Sequence, residues 1–321
     1  MKNGVAIYGG FAGTENPEIF NLADRDFENN ETILSGYNGA PHIPPSLHYT
    51  YHVFYHPEGT DLDETAILDG FTISRGRADD SAYPHSRGGG MFNYNSHPTL
   101  RNCTFSSNSA SEIGGGLYNE ESSPSVSNCT FFGNSAQDGG GIINAYSQAS
   151  IVNCTFWQNS ASGDGGGMFN SYSQVEIINC TFFQNTAGNH GAGVFNIYIG
   201  PVIKNAIIYD NTSGNLDNLG TAPQVSYSLI QGGCPGEGNI DADPLLMPLA
   251  HNGGAAMTCA ISAGSPAYAI GKDAGDQDWN GAPDTDQRGV ARTGSGFRAM
   301  GAYEAPRIVL PSILLLLLDG N

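Results

Sequence analysis

Residues 151–170 read IVNCTFWQNSASGDGGGMFN, and the same pattern returns along the chain every 25 or 26 residues. Its first asparagine falls at Asn102, Asn128, Asn153, Asn179 and Asn205. Two residues earlier stand Leu100, Val126, Ile151, Ile177 and Ile203. The next residue is Cys103, Cys129, Cys154 and Cys180, with Ala206 in the fifth copy. Then come Phe105, Phe131, Phe156, Phe182 and Ile208, followed by Asn108, Asn134, Asn159, Asn185 and Asn211. A glycine triplet, an apolar pair and an asparagine lead into each next copy, as in GGGLYN at 114–119 and GGGIIN at 139–144.

Helical hairpins also repeat at this length. Triple glycine and frequent asparagine oppose helices, whereas period-two alternation suits short strands. The aliphatic, the cysteine and the phenylalanine of each copy are expected to face inward, with the residues between them facing out. The asparagine belongs at a bend, where a left-handed backbone is tolerable and its amide can reach the next coil. Weaker copies extend the stack at 68–76 and 225–233, and the segments 5–11 and 33–36 open it. The fold expected is all-β: a right-handed parallel β-helix of about eight to nine coils with a loop-rich C-terminal cap. Residues 1–233 form the β-helix, regular over 88–211 and interrupted by insertions near 38–50 and 77–86. Residues 234–306 are the cap region and 307–321 an apolar tail.

The alternation of FxxN with GG[AG][ILVM] is similar to the repeat of chlamydial polymorphic outer-membrane proteins. The opening Tyr8-Gly9-Gly10-Phe11-Ala12-Gly13-Thr14-Glu15, the NCTF coils, Ser265-Pro266-Ala267 and Gly301-Ala302-Tyr303-Glu304 resemble bacterial surface β-helix proteins of the "choice-of-anchor Q" type. That resemblance covers nearly the full chain and implies secretion and surface display, without a settled activity. The chain departs from it at Ala269, where the family carries Asp. Met1 is followed by no secretory signal, and 5–11 reads as a strand already under way, so an export signal is expected upstream.

Composition narrows the partners. Lys and Arg number 12 against 31 Asp and Glu, a formal charge of −19. Such a surface repels nucleic acid and acidic polysaccharides. No apolar run reaches the roughly 20 residues of a membrane-spanning helix. The four repeat cysteines are expected as buried free thiols, while Cys234 and Cys259 lie outside the repeat and leave a bridge open. The NCT triplets match glycosylation sequons but belong to an interior ladder.

Chemistry is sparse. The outward positions of the NCTF strand are Thr104, Thr130, Thr155 and Thr181, then Ser106, Phe132, Trp157, Phe183 and Tyr209. Neither column holds an acid or a base. Thr130, Phe132, Thr155, Trp157, Thr181, Phe183 and Tyr209 read either as an amphipathic strip for a carbohydrate or cell-surface ligand, or as a face that a loop or the C-terminal tail covers. Carboxylate pairs occur only in loops, at Asp79-Asp80 and Glu120-Glu121. Arg75, Arg77, His85 and Arg87 gather around one insertion and are the candidates for lyase or hydrolase chemistry. Asp276, Asp278, Asn280 and Asp284 have calcium-loop character, although Gln287 stands where an EF-hand carries Glu. An adhesive or carbohydrate-binding β-helix outside the cell is the leading expectation. A β-helix polysaccharide lyase or hydrolase is the alternative, and an ice-binding Thr ladder is a remote third.

Overall fold

The computed structural model describes residues 1–39, 48–262, 264–268, 284–292 and 299–304. Its strands build a parallel solenoid with four strips of sheet, each coil contributing one strand to each strip in the regular region. The aliphatic sheet has eight strands, from Ala6–Tyr8 and Ile67–Asp69 through Thr99–Arg101 to Gln224–Ser226. The aromatic sheet, also of eight, runs from Ile33–Ser35 and Thr72–Ser74 through Thr104–Ser106 to Leu229–Ile230. A narrow five-stranded strip of two-residue strands follows, including Ser109–Ala110 and Ser160–Ala161. The asparagine sheet closes the coil with seven strands, from Phe54–His56 and Met91–Tyr94 to Leu216–Gly220.

Register follows the sequence repeat. Thr130 pairs with Thr104 on one side and Thr155 on the other, and Asn119 with Asn93 and Asn144. The inward columns fill the solenoid. Leu100, Val126, Ile151, Ile177 and Ile203 are fully buried, as are the four repeat cysteines and Phe105, Phe131, Phe156 and Phe182. The four rings stack at 4.8, 4.9 and 4.4 Å with planes within 7° of parallel, the spacing that stacked strands impose.

Asparagine supplies the interior polar framework. Nδ2 of Asn108, Asn134, Asn159 and Asn185 donates to Oδ1 of the next member at 2.9–3.0 Å, ending on Asn211. A second ladder runs Asn93, Asn119, Asn144, Asn170, Asn196 at 2.8–3.0 Å. Each amide of these two ladders is thereby paired, which avoids the cost of an unmet polar group in an apolar core. His56 heads the second ladder and donates from Nδ1 to Asn93 Oδ1 at 2.7 Å. The corner asparagines Asn102, Asn128, Asn153, Asn179 and Asn205 take φ of +52° to +55°, as their place at a bend requires.

The glycine triplet has two separate causes. Gly114 sits at φ +71°, whereas a Cβ on Gly115 would lie 2.4 Å from the Ser135 carbonyl oxygen of the next coil. Backbone approaches backbone too closely there for any side chain. All six cysteines are free thiols, so the possible Cys234–Cys259 bridge is not formed. Burial lifts the Cys259 thiol to about 12. No helix among the described residues is long and apolar enough to cross a membrane.

Candidate functional site

The outward face of the aromatic sheet is not a free surface: of the two readings of this strip, an open binding face and a face covered by the chain's own tail, the contacts fit the second. The Cys259-containing hairpin, Leu246–Ala250 with Thr258–Ile261, leads into a C-terminal stretch that crosses the face. Thr130 Oγ1 donates to the Met257 carbonyl at 2.6 Å and Thr155 Oγ1 to Gln287 Oε1 at 2.6 Å. Gln287 Nε2 donates in turn to Thr130 Oγ1 at 2.8 Å, and Ala302 N–H donates to Thr181 Oγ1 at 3.1 Å. Thr130, Thr155, Thr181 and Phe183 are buried, while Phe132, Trp157 and Tyr209 are half-buried. Tyr209 packs with Ile207, Leu229, Ile261 and Met300 in a second small core. The threonines thus hold the chain's own tail. Arg292, fully buried, locks that tail through Glu304 at 3.0 Å, the Gly301 carbonyl at 2.9 Å and Asn153 Oδ1 at 3.3 Å.

Of the calcium-type cluster, Asp276, Asp278 and Asn280 lie outside the described residues, as does Ala269. Asp284 is described and accepts Arg292 N–H on its backbone carbonyl at 2.6 Å.

The insertion at 77–86 divides its charged residues. Arg75 lies over the Tyr37 ring, and Arg77 pairs with Asp79 at the surface. Arg87 and His85 instead turn onto the outward face of the asparagine sheet. Arg87 Nε donates to Glu112 Oε2 at 3.1 Å and Nη1 to the Tyr118 hydroxyl at 3.1 Å. Tyr118 donates to Glu120 Oε2 at 2.5 Å. Its phenol is pushed up, first by burial and then by that carboxylate, and it stays a donor. The Arg87 guanidinium also lies over the Tyr83 ring at 5.0 Å. Burial raises the Tyr83 phenol, with Glu120, Arg87, Tyr94 and Tyr55 among the groups acting on it.

His52 pins the insertion in place. Its Nδ1 donates to the Gly88 carbonyl at 2.9 Å, which leaves Nε2 to accept from His85 Nδ1 at 3.1 Å. Tyr51 stacks on His85 at 4.6 Å and donates to Asp80, and Tyr55 stacks on His52 at 4.9 Å. Burial lowers His52 to about 4, and it lowers His56 equally. The result is a pre-ordered patch: Tyr55 and Tyr83 are exposed, Tyr94 and Glu120 half-buried, and Arg87 holds the centre.

Adjoining that patch, at the corner after the asparagine sheet, three tyrosines form a file. Tyr146 and Tyr172 stack at 5.0 Å and Tyr172 and Tyr198 at 3.8 Å, with exposures of 60, 41 and 48%. Of the patch only Arg87 and His85 were singled out from sequence as candidates for chemistry, and the file of Tyr146, Tyr172 and Tyr198 was not. The signal was present: each of these tyrosines stands two residues after a ladder asparagine, at the repeat spacing. A separate shallow cleft, lined by Arg25, Phe27, Asn102, Asn128, Gln287 and Arg288, lies where the N-terminal loop faces the tail. Both of its arginines are committed to carboxylates, Arg25 to Asp69 and Arg288 to Asp286.

The coil topology, the register and the asparagine ladders define a right-handed parallel β-solenoid. The family model described as right handed beta helix region matches residues 64–226, about half of the chain, and the chain belongs to that family. Comparison with curated proteins and with solved structures gave no match.

Proposed function

We propose that this β-helix is a structural binding module acting outside the cell, with carbohydrate as its ligand and the tyrosine-rich flank as its binding face. The observation that carries this reading is the exposure of Tyr55, Tyr83, Tyr146, Tyr172 and Tyr198 on one side of a fold whose other described Phe, Tyr and Trp side chains, Tyr49 and Tyr51 apart, are buried or half-buried. Tyrosine suits a sugar because its ring meets the apolar face of a pyranose while its hydroxyl hydrogen-bonds the rim. Exposed aromatic surface gathered on one flank is a feature of interaction sites. The prevailing negative charge favours a neutral glycan over an acidic one.

Affinity electrophoresis through gels containing neutral or acidic polysaccharides tests this. The protein should be retarded by a neutral polymer, and Tyr83→Ala should relieve the retardation. Unretarded migration in every gel would remove the carbohydrate reading. Protease shaving of intact cells tests surface display.

One arrangement favours a second reading, a polysaccharide lyase or hydrolase. Arg87, Glu112, Tyr118 and Glu120 converge within hydrogen-bonding reach on adjacent coils. Against it, Arg87 and Tyr118 are already committed to these carboxylates, and Tyr118 is 1% exposed. Release of reducing ends or unsaturated products from the retarding polymer, lost in Arg87→Ala, would establish it.

A further inference from the structure

The tyrosine file is costly, and no demand of the fold accounts for its residue type. Tyr146, Tyr172 and Tyr198 have φ of 51, 50 and 75°, a left-handed conformation uncommon for bulky residues. The same corner is built from Asn95 and Glu121 in the two preceding coils, at φ 44 and 52°. The fold therefore accepts a small or charged residue there, and tyrosine is not needed to turn the chain. Nor does the file fill a core, given its exposure.

Its geometry restricts what it can hold. The inner ring faces are occupied by neighbouring rings, with the Tyr172 and Tyr198 centroids 3.8 Å apart. What remains is a row of phenol edges along the solenoid axis and the terminal ring faces of Tyr146 and Tyr198. The face on Tyr198 looks towards the next coil, where its partner is Gly220. A Cβ on Gly220 would lie 2.6 Å from Tyr198 Cα, so no side chain can stand beside the ring from that position. At its other end the file continues into the patch. Tyr94 pairs with Glu120 and Glu120 with Ala145, the residue before Tyr146.

Resting on the carbohydrate reading above, we infer that Tyr94, Glu120, Tyr146, Tyr172 and Tyr198 form one extended site. Its ligand is a neutral, β-1,4-linked polysaccharide lying along the solenoid axis. The coil rise of roughly 4.8 Å is close to the length of one hexose in such an extended chain, so each coil meets one sugar, and equivalent sugar edges, which alternate along a β-1,4 chain, recur at every second coil. Four coil steps separate Tyr94 from Tyr198, about 19 Å, which accommodates about five sugars. Successive sugars hydrogen-bond the phenol row from Tyr198 through Tyr172 to Tyr146, and the last reaches Glu120. Glu58, Glu120 and Glu121 act on Tyr94, and this acidic end disfavours a uronic-acid polymer.

Calorimetric titration with neutral β-1,4 gluco- and manno-oligosaccharides of two to six residues tests the inference on the full chain, with oligogalacturonides as the acidic arm. Affinity for one neutral series should tighten stepwise to about five residues and then level off. Tyr172→Ala and Tyr198→Ala should each weaken the longest ligand about tenfold and flatten the length dependence, with an unchanged thermal midpoint confirming the fold. Equal affinity for dimer and hexamer, wild-type affinity in both variants, or equally tight binding of oligogalacturonides would overturn the inference. So would binding of other glycans but of neither neutral series, an outcome that leaves the broader carbohydrate reading standing. Binding of no glycan at all overturns both.

Discussion

Two outward faces of the same solenoid met opposite ends. The aromatic-sheet face looked the better binding surface, with threonines and large aromatics in regular file, yet Met257, Gln287 and Ala302 lie against it and use its hydroxyls as hydrogen-bond partners. The asparagine-sheet flank, irregular and interrupted by an insertion, keeps Tyr55, Tyr83, Tyr146, Tyr172 and Tyr198 exposed. An outward side chain on a solenoid is thus outward only from its own coil. Whether it meets solvent depends on where the non-repetitive parts of the chain are laid.

The comparison breaks most readily at the covered face. Arg292→Met removes the buried partner of Glu304, whose carboxyl burial already pushes upward, and should cost about 3–5 kcal/mol in urea unfolding. A midpoint unchanged from wild type would mean that the tail is not integral to the fold. Trp157→Ala, on the same face but half-buried, should cost less, about 2 kcal/mol by the same measurement.

On the flank, acid should act through two histidines. Both His52 and His56 are lowered to about 4 by burial, whereas the unfolded chain takes up these protons near 6.5. Their contribution is therefore fully present above 6.5 and is lost as the pH falls from there towards 4. The thermal midpoint should drop over that window. His56→Asn, which continues the asparagine ladder with an uncharged amide, should shallow the drop. A midpoint flat from pH 7 to 4 would contradict the burial of these rings. The smallest effect belongs to the file itself: Tyr172→Ala should leave the urea midpoint unchanged, in contrast with Trp157→Ala.

The legible part of the molecule was its interior. Asn, Cys and Phe columns repeat because each coil solves the same packing problem with its neighbours, so one register applies to every copy. The paired first-coil strands at Ala6–Tyr8 and Ile33–Ser35 were recognisable for the same reason. The patch was less legible. Arg87 and His85 were noted as an insertion cluster, but their separation from Arg75 and Arg77 depends on His52 and Gly88, which the repeat does not mark. The tyrosine file escaped because Tyr146, Tyr172 and Tyr198 lie at a corner, beyond the in–out alternation of the strands.

The NCTF repeat by itself determined the all-β coil, its register and the inward set of side chains, because those contacts lie one repeat apart and recur. Only the tertiary structure decided which outward face stays open. That outcome rests on contacts such as Thr155 with Gln287 and Thr181 with Ala302, separations of 132 and 121 residues that occur once and leave no period in the sequence.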